Sequence, residues 1–120
     1  MNRTRMLAAV GAAALATSIV GAGAAGAATP KLTASVSDPL VISLKVGTKK
    51  VTKLKAGVYT IVVKDQASDH NFHLKGPGVN KSTSVGSKST TTWKVTLKKG
   101  TYTYVCDPHS SFMKGSFTVS

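Results

Sequence analysis

The chain lacks most of what would make it a disulfide scaffold, a hydrolase or a nucleic-acid reader. It has one cysteine, three histidines and four acidic residues in 120. A lone Cys106 permits no intramolecular disulfide, so the fold rests on packing. The acidic residues are Asp38, Asp65, Asp69 and Asp107, and they make no Ser-His-Asp set for nucleophilic hydrolysis. Arginine is absent after Arg5, which removes the forked donor that base and phosphate readers favour. No helical period is visible after residue 28, there is no internal repeat, and the C-terminus carries no apolar tail.

The basic residues form two groups. Arg3 and Arg5 precede an apolar run, Met6 to Val20, and a small-residue stretch, Gly21 to Ala28. This order predicts a secretory signal peptide over residues 1–28, cleaved after Ala27 or Ala28. The competing reading is an uncleaved membrane anchor, but the apolar run is rich in Gly and Ala and no charged stop-transfer flank follows. Arg3-Thr4-Arg5 is not a twin-arginine pair, and Cys106 is too remote to be a lipidated N-terminal cysteine. The expected product is residues 29–120, one soluble domain outside the cytoplasmic membrane, either periplasmic or extracellular.

The net charge of +12 includes those two arginines, so residues 29–120 carry about +10, with lysine as their only strong base. Several lysines alternate with apolar residues, as around Lys94 and Lys98, which predicts a solvated sheet face. The balance points to an acidic protein partner or to anionic cell-envelope polymers, and away from nucleic acid. Nothing in the sequence asks for an oligomer, and a monomer is expected.

The remaining pattern is period two, broken by Gly, Pro, Asp and Ser, which is the signature of strands. Leu32, Ala34 and Val36 share a face. Leu40, Ile42, Leu44 and Val46 form a second set, and Val51 to Lys55 a short third strand. Tyr59, Ile61 and Val63, then His70, Phe72 and Leu74, then Trp93, Val95 and Leu97 follow. Tyr102, Tyr104 and Cys106 form the next set, and Phe117 and Val119 close the chain. Asp65 to Asp69 and Val79 to Thr90 are expected to be loops. Seven or eight strands in about 90 residues predict an all-β sandwich.

The chemistry concentrates in one stretch. Cys106, His109 and Met113 put a thiolate, an imidazole and a thioether within eight residues. Soft sulfur with borderline nitrogen selects copper over hard ions, and a His₂Cys site with a weak axial Met serves both copper oxidation states. Strand parity supplies the second histidine: His70 shares its side with Phe72 and Leu74, and Cys106 shares its side with Tyr102 and Tyr104, so both face the core. His73 then points outward as a surface residue. Asp69 and Asp107 flank ligands and are expected to tune them.

With these residues in hand, the chain resembles the plastocyanin and azurin group, the cupredoxins or type 1 blue copper proteins. The resemblance spans Lys31 to Ser120 and rests on His70-Asn71 followed by Cys106-x-x-His109-x-x-x-Met113. It implies a Greek-key β-sandwich holding one copper ion with His70, Cys106, His109 and Met113. It also implies that the Asn71 side chain ties its strand to the cysteine loop. His109 is expected to be half exposed beside Pro108, Phe112 and the Gly76 to Val79 loop, where an apolar collar excludes water and offers a docking surface. The implied function is one-electron transfer between Cu(I) and Cu(II) with an acidic redox partner protein. The alternative is a copper-binding or delivery protein of the cell envelope. An enzyme is not expected, because three histidines are too few for a second copper centre.

Overall fold

The computed structural model describes residues 29–120, and the predicted signal peptide lies outside the described residues. Ten strands form two five-stranded sheets. The first has the order β3 (Lys49–Lys50), β2 (Val41–Val46), β1 (Lys31–Ser37), β5 (Gly57–Asp65), β8 (Ser89–Leu97). The second has the order β4 (Lys53–Leu54), β10 (Lys114–Val119), β9 (Gly100–Val105), β6 (His73–Gly76), β7 (Val79–Ser82). Both sheets are mixed, because β1 pairs with β5 and β4 with β10 in parallel while the other neighbours are antiparallel. Among the described residues no helix is long and apolar enough to cross a membrane.

Alternation drives this architecture. In β1, Leu32, Ala34 and Val36 are fully buried while the intervening Thr and Ser are not. Tyr59, Ile61 and Val63 of β5 and Trp93, Val95 and Leu97 of β8 do the same on adjacent strands. The opposite sheet contributes Leu74, Tyr102, Tyr104, Phe117 and Val119. Aromatic stacking fills the centre: Tyr102 lies on Phe117 with ring centroids 5.3 Å apart, and Phe72 on Tyr104 at 5.4 Å. Buried aromatics dominate such a core because each removes so much apolar area from water. The hydroxyl of Tyr102 stays paired, donating to the Pro77 carbonyl at 2.9 Å and accepting from the Lys98 N–H at 2.8 Å.

Several expectations change. The two extra strands are β3, with two residues and so too short to display a period, and β7, an edge strand with almost no buried side chain, while the expected strand over Val51 to Lys55 shrinks to the two residues of β4. The stretch from Val79 to Thr90 is therefore loop only in its middle, since its ends belong to β7 and β8. Of the Leu40 to Val46 set only Leu44 is fully buried, while Leu40 and Val46 are exposed. This strand lies one place from the sheet edge, where the opposite sheet no longer covers every inward position. Asp65 is the last residue of β5, and it is buried.

The register fixes where the two candidate ligand segments meet. β6 pairs with β9 through His73↔Val105 and Lys75↔Thr103. The residues just before β6, His70 to Phe72, thereby lie beside the residues just after β9, Cys106 and Asp107. The same antiparallel register sends the Gly76–Gly78 turn to the opposite end, where a Cβ at Gly100 would press on the Pro77 ring. The expectation that this turn flanks His109 is corrected accordingly.

Candidate metal centre

His70 lies just outside β6, yet its side chain is fully buried, as parity with Phe72 and Leu74 predicts. Cys106 follows β9 and is also fully buried. The chain then turns through a 3₁₀ segment, Asp107–His109, with Pro108 in its first turn. Two backbone bonds close the loop: Met113 N–H donates to the His109 carbonyl at 2.8 Å, and Cys106 N–H donates to the Met113 carbonyl at 3.0 Å. The compact loop brings His109 back over Cys106 and seats Met113, fully buried, at the start of β10.

Three donor atoms converge. His70 Nδ1 and His109 Nδ1 are 3.1 Å apart, and each is 3.6 Å from Cys106 Sγ. A point equidistant from all three lies about 2.0 Å from each, close to the usual length of metal–nitrogen and metal–thiolate bonds. The residues therefore fit a small metal ion in size as well as in donor chemistry. The protein also sets the tautomer of His70. Its Nε2 faces two acceptors, the Pro39 carbonyl and Asp38 Oδ1, both at 3.1 Å, with Asp69 Oδ1 at 3.7 Å. Nε2 must carry the proton, which leaves the Nδ1 lone pair directed at the cysteine sulfur. His109 is half-buried.

A hydrogen-bonded brace surrounds the donors. Asn71, buried, accepts from the Asp107 N–H with Oδ1 at 2.8 Å and donates from Nδ2 to Asp107 Oδ2 at 2.8 Å. Its Nδ2 also reaches the Thr83 carbonyl at 3.3 Å, and its backbone N–H points at Cys106 Sγ at 3.4 Å. Thr83 Oγ accepts from the Phe72 N–H and donates to the buried Asp65 carboxylate, each at 2.9 Å. Burial works against the Asp107 carboxylate. The hydrogen bonds from Asn71 and His73, with the positive charges of His73 and Lys75, outweigh it and hold its pKa below the usual range. Burial alone pushes the Tyr104 phenol upward.

The structure thus brings His70, Cys106 and His109 together, with Asn71 and Asp107 bonded behind them and Met113 closing the loop. Pro108 and Phe112 are on the surface of that loop, Phe112 with 76% of its area exposed. Other exposed apolar residues at this end are Leu40 and Val41, next to Pro39, and Val85 in the loop after Thr83. His73 is less of a free surface residue than expected: its Nδ1 meets the Asp107 carboxylate at 2.9 Å and its Nε2 meets Asn80 Oδ1 at 2.6 Å. Sequence reading missed Pro39, Asp38, Thr83 and Asp65. Asp38-Pro39 signalled only a turn, and Thr83 lay in a polar stretch without pattern.

Known proteins resemble this chain in sequence and in fold. A family described as the cupredoxin-like domain matches residues 7–119. Amicyanin-alpha of Methylorubrum extorquens is 39% identical over 114 residues, covering 90% of this chain and 94% of that protein. In structure, reduced rusticyanin is similar with a TM-score of 0.57 at 21% identity, over 75% of this chain and 78% of that one. Dithionite-reduced auracyanin from the photosynthetic bacterium Roseiflexus castenholzii is similar with a TM-score of 0.53 at 21% identity, over 78% of this chain and 99% of that one.

Proposed function

This chain belongs to the cupredoxin family, and on that footing we propose that it is a one-electron carrier holding a single copper ion with His70, Cys106, His109 and Met113. The observation that carries the reading is the convergence of His70 Nδ1, His109 Nδ1 and Cys106 Sγ within 3.6 Å. Copper, when bound, supplies a one-electron couple between Cu(I) and Cu(II). The chain's own residues keep the donors still. Pro39 and Asp38 hold the His70 ring in one tautomer and orientation, and Asn71 clamps the Cys106–Asp107 backbone to the segment that carries His70. Donors that do not move between oxidation states keep the reorganisation cost of electron transfer small. A braced, preformed set also favours keeping the metal over handing it on, which separates a carrier from a delivery protein.

The half-buried His109 provides the edge through which an electron enters or leaves. Among the described residues its Nε2 has no protein hydrogen bond, and Pro108 and Phe112 beside it, with Leu40 at the same end, supply an apolar contact surface. The charge of about +10 on residues 29–120 draws an acidic partner from a distance, an attraction that salt screens. Residues 1–28 act as a cleaved signal peptide, and the protein works outside the cytoplasmic membrane as a monomer. No hydrolytic or oxidase chemistry is assigned to it.

The test is a visible absorption spectrum after addition of Cu(II), with Cys106→Ser as control. An intense blue band, bleached by reductant and absent in the variant, is the expected result. Persistence of the colour against a chelator supports the carrier over delivery. Folded protein without the band overturns the type 1 assignment.

A further inference from the structure

The charges of this protein are segregated along the sandwich. Asp38 follows β1, Asp65 ends β5, Asp69 precedes His70 and Asp107 follows Cys106, so every carboxylate side chain of the described residues lies at the metal end. Of the fourteen lysines, Lys64, Lys88 and Lys114 share that end by register or adjacency. Lys75, on β6, lies close enough to Asp107 to lower its pKa, and the other ten stand on the flanks and the remote end with no aspartate among them. Four of these, Lys53, Lys55, Lys98 and Lys99, crown the remote end, where β4, β8 and β9 meet their turns.

On one flank the lysines frame a concavity. The edge strands β7 and β8 face each other across a cleft of about 360 Å³, lined by Gly78 to Lys81, Lys94 to Thr96 and Lys98. Lys81, Lys94 and Lys98 are exposed. Each strand pairs on one side only, β7 with β6 and β8 with β5, so both lend unpaired backbone N–H groups to this edge. Lys98 folds over the Gly78 backbone, its Nζ 3.6 Å from where a Cβ would sit at that residue. Asn80 is also on the lining. With its Oδ1 engaged by His73, it keeps its amide N–H₂ as a donor. None of the exposed large apolar side chains lines the cleft.

We propose that this flank is a binding surface for an extended phosphate-bearing polyanion, seated in the cleft by Lys81, Lys94 and Lys98 and leaving the metal end free. Three ammonium groups and unpaired N–H donors, with no carboxylate in the lining, suit an oxyanion repeat. Absence of an exposed apolar anchor disfavours a folded protein on this face, since such interfaces rely on buried aromatic or aliphatic hot spots. Absence of arginine disfavours base readout. A flexible polyanion needs neither, because its binding is driven by release of counterions. Held this way, the protein is tethered by one flank while its donor set remains open to a redox partner.

The test uses fluorescently labelled long-chain inorganic polyphosphate and the purified protein, with affinity read by anisotropy between 50 and 200 mM salt. The variant K81Q/K94Q/K98Q is compared with K64Q/K88Q/K114Q, which loses the same charge at the metal end. The cleft variant is expected to bind about tenfold more weakly at 50 mM salt. Its log–log salt slope should be shallower by about 2, as loss of three phosphate contacts on a flexible strand requires. The control variant is expected to stay within about twofold of the parent. Circular dichroism checks that both variants keep their fold, which exposed lysines do not support. Equal weakening by the two variants means attraction to net charge alone and overturns the proposal. So does absence of binding by the parent. Tighter binding of duplex DNA than of polyphosphate through the same lysines also overturns it, and makes the face a nucleic-acid surface instead.

Discussion

Replacing Asn71 with Ala tests whether the ligand brace is one cooperative unit. Asn71 contributes three side-chain hydrogen bonds: two at 2.8 Å to Asp107, one of them to its carboxylate, and one at 3.3 Å to the Thr83 carbonyl. The bond to a charged acceptor is worth about 1.5–3 kcal/mol, the backbone bond about 1 and the long one less. Water reaches the half-exposed Asp107 side chain and recovers part of this. The expected loss is therefore about 2–3 kcal/mol, or a fall of roughly 2 M in the urea midpoint for a chain of this size. Of these three bonds Asp107→Ala removes only the one to the carboxylate, together with that carboxylate's separate contact with His73, and leaves the Asp107 N–H to Asn71 intact. The double mutant should then show a coupling of about 1–2 kcal/mol. In copper-loaded protein the same change frees the Cys106–Asp107 backbone, so a chelator should bleach the blue colour faster. Urea titration of the metal-free variants and timed chelation of the loaded ones are the assays. A loss below about 1 kcal/mol, or additive single mutants, would refute the brace.

The remaining predictions concern other links of the same structure. Thr83→Val keeps the shape but strips the Phe72 N–H and the buried Asp65 carboxylate of their shared partner, leaving Asp65 only the Ala67 N–H at 3.4 Å. Chemical denaturation should register a cost of about 2–4 kcal/mol, largely recovered by Thr83→Ser. Gly115→Ala places a methyl into the Tyr104 ring, which is fixed by its stacking on Phe72. Overpacking of about 1–3 kcal/mol is expected in the same assay. Phe112→Ala removes an exposed side chain, so the thermal midpoint should barely move. Stopped-flow electron transfer with a partner should nonetheless slow severalfold, and an unchanged rate would remove Phe112 from the docking surface.

Most of the sandwich was legible in the residues themselves because burial alternates wherever a strand is long enough to show it. β1, β5, β8 and β9 declare their inward faces within five or six residues. Parity carried over to the site: His70 and Cys106 each inherit the side of their aromatic neighbours, even though His70 lies just outside its strand. Strands of two residues, and an edge strand such as β7 that buries almost nothing, leave no such signal. The Leu40 to Val46 set misled for the opposite reason: its apolar alternation is real, but the partner sheet does not extend far enough to cover it.

The sequence by itself determined which donors are present, which way they face and that their softness suits copper. Those properties are local, set by residue chemistry and by a period of two. Only the tertiary structure decided what stands behind the donors and what surrounds them. Pro39 and Asp38 reach His70 across 31 and 32 positions of chain, and Asn71 reaches Asp107 across 36, because strand order and register bring those segments to one end. The same register carries the Gly76–Gly78 turn away from that end and leaves Leu40 there. It also gathers all four aspartates around the metal centre and leaves most of the flanks to lysine, a segregation that no window along the chain reveals.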